Sequence, residues 1–414
     1  MKKELVLFAL CTLSIFTSCQ NEEIKVRNDI KKSEENESVR VYASNTIKAL
    51  TKGILREGRD FEPKEEKPVI SGEADTIGYL VNFEGGGFIL FTSNERKVVT
   101  FSPNGSLSVE KDPETIRELT TNVLRQTPSL PIEDENGTPN MPGRYTETKK
   151  VTEGPISQII EKQTTKEFDQ TYPYNRKAPI CIFKKPEYYY MGRYPAGCLT
   201  AALAEIFAYH RLFGYEIDWD ALINVDWNNR STFPDEDSFY NDLDLLFGTI
   251  IKRCITFGGG QFGVKPYGMA IPPKINGFVK DMGYTVEKRE YNAYTIPYVY
   301  KDNKIPLMIY GEAAFFDRHY FVADGVAIYT YNDITYERTV TKRKRPGSNS
   351  PYDLIVTYSP WKEVYRTQRK DCFLSINWGW GGDHNGYFRP NALSPSQKDD
   401  TYDKKMSYRI IQPK

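Results

Sequence analysis

From about residue 165 onward, apolar residues change their period once, near residue 300. Before that point they recur with helical spacing, around 197–213, through about 238–255 (FYNDLDLLFGTIIKRC) and again at 272–283. After it come strand-like runs, PLMIYG, HYFVADGVAIYT, YDLIVTYS and CFLSINWGW, punctuated by turn residues. Helices first and strands second make an α+β fold. Such a chain places a cleft between a helical half and a β-rich half.

The chain has 414 residues, so two domains are expected rather than one. Residues 41–126 read as a small α+β unit. VYASNTIKAL and TIRELTTNVLRQ have helical spacing, IGYLVNF-EGGG-FILFTS is a hairpin, and VVTFS-PNG-SLSV repeats the hairpin signal. Residues 127–164 begin with a stretch rich in Pro, Gly and charge and are expected to be a linker, with residues 165–414 forming the larger domain.

The N-terminus reads as targeting rather than structure. Lys2 and Lys3 precede the apolar run LVLFALCTLSIF, which is too short to span a bilayer. Residues 1–18 are expected to be a signal peptide. Thr17 and Ser18 before Cys19 resemble a bacterial lipoprotein cleavage box, although Phe16 stands where leucine is usual. Cys19 is therefore the candidate lipidation site, and ordinary signal cleavage nearby is the alternative. Residues 19–40 are mostly charged and polar, as a solvated tether should be, and the early Glu22 and Glu23 resemble surface-export signals of bacterial lipoproteins. An exported protein, at the outer membrane or cell surface or released from it, is the expectation.

Charge excludes one class of partner. Lys and Arg number 55 and so do Asp and Glu, and no arginine stripe suggests nucleic acid. Cys11 and Cys19 fall in the leader, which leaves Cys181, Cys198, Cys254 and Cys372 for two disulfides or none. No CxxC pair suggests a zinc site.

Cys198 follows a Pro-Ala-Gly turn and opens an alanine-rich helix. Leu199, Leu203 and Ile206 share one face of it. Gly197 permits the turn. A cysteine at a helix N-terminus is favoured as thiolate by the unpaired N–H groups and the helix dipole. A nucleophile fits that position; a buried structural cysteine or half of a disulfide fits it too. The chain has 3 histidines from which to draw a base. His210 lies roughly 18 Å along the same helix, out of reach, and reads as a helix-end residue. His319 opens a strand in which Phe321 and Ala323 share its face, and Tyr320, Val322 and Asp324 take the other. It reads equally as a base projecting into a cleft or as a surface residue at a strand end. His384 sits in a glycine-rich loop and reads as a solvent-side residue. Asn377, Trp378 and Trp380 precede it. The two tryptophans, spaced as on a strand, could wall a groove, and Asn377 could fix an imidazole tautomer. A plain aromatic core cluster is the alternative.

Taken together, GCLTAALAEIFAYHR, HYFVADG and INWGWGGDHNGYF, in that order, resemble the streptopain (C10) family of papain-like cysteine peptidases. TYPYN at 171–175, DWNN at 226–229 and the NFEGGGFILFTSNERKVV stretch resemble further landmarks, the last in the family's propeptide. The resemblance runs from about residue 40 to 410. It implies a papain-like fold and a cysteine endopeptidase made as a zymogen. Cys198 would be the nucleophile, His319 the base and then acid, and Asn377 or Trp378 the group that orients the imidazole. Gly197, Trp378 and Trp380 would line the substrate cleft, and the Cys198 backbone N–H would supply one oxyanion donor. Residues 41–126 would act as an inhibitory propeptide until the 127–164 region is cut. Substrates would be proteins or peptides, with no cofactor, no metal, no nucleic acid and no membrane contact beyond the lipid anchor. Three residues depart from the pattern. Gly192 stands where a glutamine would be the second oxyanion donor, which leaves Gln261 as a weak candidate. Arg318 replaces a glycine and Glu205 a frequent glutamine. These departures motivate a competing reading, a catalytically silent surface-binding protein on the same fold. A third reading is another thiol-acyl chemistry, amidase or transglutaminase-like.

Overall fold

The computed structural model describes residues 39–52, 54–55, 59–72, 74–93, 96–108, 113–125, 143–163, 165–181, 192–225, 236–258, 267–312, 318–348, 350, 353–382, 384–393, 402 and 404–414. The signal peptide, Cys19, most of the tether, DWNN and Gln261 lie outside these residues.

The N-terminal region contributes helix α1 (39–51), strands β1 (Pro63–Ile70), β2 (Thr76–Phe83), β3 (Phe88–Thr92) and β4 (Val98–Ser102), and helix α2 (Pro113–Arg125). Strand β5 (Gly143–Lys162) follows. Then come α3 (Cys198–His210), α4 (Trp219–Asn224), α5 (Glu236–Cys254), β6 (Ile255–Gly258), β7 (Tyr267–Ala270), α6 (Pro272–Asp281), β8 (Tyr284–Glu290) and α7 (Ile296–Asn303). The C-terminal part is β9 (Leu307–Glu312), β10 (Arg318–Lys344), β11 (Leu354–Tyr358), β12 (Lys362–Asn377), β13 (Gly386–Phe388) and β14 (Lys404–Pro413). From α3 onward the helices mostly precede the strands, the α+β order expected from the period change. Among the described residues no helix is long and apolar enough to cross a membrane.

One antiparallel sheet organises the molecule, in the order β1-β2-β3-β4-β13-β12-β10-β9-β14-β8, with β5 and β11 also paired to β10. Strand β10 is its spine, and its inner half is buried on both faces. Tyr320 and Val322 face a core built with α3, α5 and α6. Phe321 and Ala323 face a second core with Tyr300 of α7, Ile376 and Trp378. Strict alternation along a strand delivers adjacent residues to opposite cores. Helix α3 lies in the middle of the first core, with Leu199 through Ala208 all buried. Small alanines let its backbone approach its neighbours on every side, and their helix propensity favours it. It ends at Arg211 in the left-handed conformation, whose N–H bonds Ala208 O and Phe207 O.

Three expectations are corrected. The 127–164 segment does not run as a linker throughout: from Gly143 it is a 20-residue strand paired with β10 from Gly325 to Lys342. Gly154, Pro155 and the charged residues of this stretch sit on an outer strand, where such residues are tolerated. The PNG turn does not close a second hairpin, because the far edge of β4 is taken by β13, with Tyr387 opposite Phe101. Leu107 is instead held by the Asn82 side chain, which bonds both its N–H and its C=O. The N-terminal unit is also not a separate body. Its Ile89, Phe91 and Phe101 share one core with Ala327, Tyr329, Phe373 and Tyr387.

Candidate active site

Gly197 caps α3 at φ 91°, so Cys198 is the first helical residue. A side chain at Gly197 would place its Cβ 2.8 Å from the Gly268 carbonyl, so only glycine fits between β7 and the helix. Cys198 thus sits where helix N–H groups favour a thiolate. Its Sγ lies 3.4 Å from the Tyr320 N–H and 4.0 Å from the Arg318 carbonyl. The thiol is therefore seated against the backbone on either side of His319. It is partly exposed and free of any disulfide, as are the other three described cysteines, of which Cys181 and Cys254 are buried. Burial pushes the Cys254 thiol up to about 12, the mark of an inert packed cysteine.

His319 is 5% exposed. Its ring packs among Phe321, Trp378, Trp380 and Tyr402, with centroids 5.1 to 6.1 Å away. Its Nε2 lies 2.9 Å from the Trp378 carbonyl. With Nε2 donating to that oxygen, the proton is fixed on Nε2, and Nδ1 is left as the basic nitrogen of the neutral ring.

The loop that supplies this carbonyl is tightly braced. Asn377 Oδ1 accepts from the Gly379 N–H at 3.1 Å and from Asn385 Nδ2 at 3.3 Å. Asn377 Nδ2 donates to Thr165 Oγ1 and to the Lys166 carbonyl, both at 3.4 Å. Asn385 Oδ1 accepts the Trp378 N–H, and the His384 carbonyl accepts the Trp378 indole N–H. Two asparagines and the protein backbone thus hold the turn that positions His319.

The sequence blocks and this geometry agree with one comparison. The chain is similar to streptopain. Streptopain of Streptococcus pyogenes is 22% identical over 360 residues, which cover 84% of this chain and 82% of streptopain. No family model matches. Among solved structures, interpain A cysteine protease of Prevotella intermedia matches with a TM-score of 0.38 and 16% identity, over 63% of this chain and 98% of its own.

Of the residues that carry the streptopain resemblance, Cys198 and His319 converge on the start of β10. Of the two groups expected to orient the imidazole, Trp378 meets it through its carbonyl, and the Asn377 amide braces the turn. Trp378 and Trp380 are not on a strand, since β12 ends at Asn377. Trp378 is 0% exposed, behind His319 rather than along a cleft wall, and Trp380 alone of the two is partly exposed. His384 is half-buried against Trp380 rather than facing solvent. His210 ends α3 as expected, with Nε2 3.2 Å from the Ile411 carbonyl. Arg318 turns toward β9, with Nε 3.4 Å from Glu312. Bonding from Tyr310 first, and then the Lys405 and Arg318 charges, holds the Glu312 carboxyl below its usual range.

Sequence reading left Trp378 and Asn377 as alternatives for orienting His319, because a backbone carbonyl leaves no signature in side-chain identity. It missed Gln170, which lies outside the sequence blocks. Its carbonyl accepts the Ala196 N–H at 2.8 Å and its amide reaches the Gly379 carbonyl at 3.4 Å. It ties the turn before Cys198 to the turn behind His319.

Proposed function

We propose that the chain is a cysteine endopeptidase of the streptopain type on a papain-like fold, exported as a lipid-anchored zymogen. The observation that carries this reading is the seat of the Cys198 thiol, at a helix N-terminus and against the backbone that bears a tautomer-fixed histidine. The 22% identity to streptopain across most of both chains supports it.

In this reading the Cys198 proton passes to His319, and the thiolate attacks the scissile carbonyl carbon. The tetrahedral oxyanion is met by the Cys198 N–H, one of the first-turn donors that a helix cannot satisfy itself. Collapse breaks the C–N bond, and the imidazolium returns its proton to the leaving amine. Water, deprotonated by the same imidazole, then attacks the thioester, which releases the acid and restores the thiol. Asn377 acts by holding the Trp378 carbonyl against Nε2. Residues 41–126 serve as the propeptide, and substrates are proteins or peptides.

The test is labelling by a thiol-directed covalent inhibitor, with peptide hydrolysis measured beside it. Label on Cys198, and hydrolysis that vanishes in Cys198→Ala, are expected; hydrolysis that survives in Cys198→Ala sinks the proposal. The burial of His319 in an aromatic cage favours one competitor, a silent binding protein on the same fold. Hydrolysis dependent on Cys198 excludes that competitor.

A further inference from the structure

Glu205 sits two turns beyond Cys198 on the same face of α3, in the middle of the ALAEIFA run, and is 0% exposed. Neither of its carboxyl oxygens has a hydrogen-bond partner among the described residues. Above it passes the turn that positions His319. A Cβ built on Gly379 would lie 3.0 Å from the Ala201 Cβ and 3.9 Å from Glu205 Oε1, so the turn rests directly on this stretch of helix. Gly379 adopts φ 73°, a conformation that glycine tolerates and that packing from below must support.

The charged groups that act on Glu205, among the described residues, are both acidic: Asp324 from β10 and Glu167 from the segment before α3. Asp324 is buried as well, but it is better provided for. Its Oδ2 accepts from Thr165 Oγ1 at 3.0 Å, and Lys162 Nζ of β5 lies 3.9 Å away. Glu167 accepts from Asn385 Nδ2 at 3.2 Å. Two neighbouring carboxylates thus have donors or a cation, and the third has neither. An ionised carboxylate with no donor, no cation and two anions nearby is the least tolerable arrangement in a protein interior. Burial first, then Asp324 and Glu167, push the Glu205 carboxyl well above its usual range.

We propose that Glu205 keeps its proton at neutral pH and is a positioning residue, the neutral floor on which the Trp378–Gly379 turn rests, so that its ionisation displaces the carbonyl that holds His319. Burial pushes the Asp324 carboxyl up as well, but with Thr165 and Lys162 at its Oδ2 it is the anionic member of the pair and Glu205 the protonated one.

Full-length protein, processed to its mature form for the kinetic measurement, tests this in three ways. Infrared difference spectra, wild type minus Glu205→Gln, should show at pH 7 the carbonyl-stretch band of a neutral carboxylic acid; its absence overturns the proposal. Emission from the tryptophans beside the site should change as pH is raised in wild type. That step should be lost in Glu205→Gln and should move to lower pH in Asp324→Asn, where a repelling charge is gone. Identical pH-dependent emission in wild type and Glu205→Gln overturns the proposal too, and Asp324→Asn keeps the test open if the glutamine variant fails to fold. The third measurement rests on the peptidase reading. On the alkaline side Glu205→Gln should keep kcat where wild type loses it, with KM unmoved. If neither protein cleaves peptide, the functional reading fails, and the infrared and emission results still decide the role of Glu205.

Discussion

At the scale of single residues, Gly197 shows how little freedom the site has. Gly197→Ala would hold a side chain at φ 91° and drive its Cβ to 2.8 Å from a backbone oxygen. A loss of about 1–3 kcal/mol is expected, together with slower thiol labelling, because strain relieved there moves the first residue of α3. Chemical denaturation beside a labelling time course checks both. His210 gives a pH test away from the site. Burial holds its imidazole below the usual range, outweighing the Ile411 carbonyl. In the folded state it therefore binds fewer protons than in the unfolded chain. Its contribution to stability is present above the unfolded value of about 6.5 and fades as pH falls below it. The urea midpoint of wild type should drop between pH 7.5 and 5.5 by more than that of His210→Gln. Equal drops in the two proteins exclude this account.

At the scale of elements, β5 decides where processing can fall. Its backbone is paired along β10 from Lys162 opposite Gly325 to Gly143 opposite Lys342. A protease needs an extended, unpaired stretch in its cleft, so a cut inside 143–162 requires this strand to be peeled off first. If the chain is processed between the N-terminal unit and α3, the mature protein is expected to begin before Gly143 and to keep β5. Intact-mass measurement of the matured protein reads this directly, and a mature N-terminus within 143–162 contradicts it. The outer half of the β10 arm is the region least legible from sequence. From Tyr331 on it mixes Thr, charged and aromatic residues, and only Ile334 and Val340 are buried. It is stabilised by neighbours that no local pattern announces, such as Arg338, which lies over Tyr358 and Trp361 and pairs with Glu147.

At the scale of the whole molecule, the N-terminal unit is bound through a continuous sheet and a shared core. The Phe101 ring stacks on Tyr387 at 5.0 Å, Arg389 Nε donates to the Val98 carbonyl, and the Tyr329 hydroxyl donates to the Leu50 carbonyl. Tyr329→Phe leaves that buried carbonyl unmet and should weaken docking of the unit by about 1–3 kcal/mol. Limited proteolysis should then release residues 39–125 faster than from wild type. A chain produced without the unit would expose the β13 edge and the apolar faces of Phe373 and Tyr387. It should bind a hydrophobic dye or self-associate, as sedimentation can show. A monodisperse, dye-silent product would mean that the shared core is dispensable.

The sequence alone determined the order of helix and strand, the start of α3 at Cys198, the face that His319 shares with Phe321 and the exclusion of His210 as a partner. All of these rest on periods of 3.6 and 2, which are local. The tertiary structure decided the rest. It chose the Trp378 carbonyl over the Asn377 side chain as the group on His319, sank Trp378 into the core, and brought Gln170 between two turns. It also made the expected linker, from Gly143 on, a sheet strand, and left Glu205 without a hydrogen-bond partner among the described residues beneath the site. Backbone carbonyls, strand partners distant in sequence and the donors around a buried acid come from elements that meet only when the chain closes, and no local period encodes them.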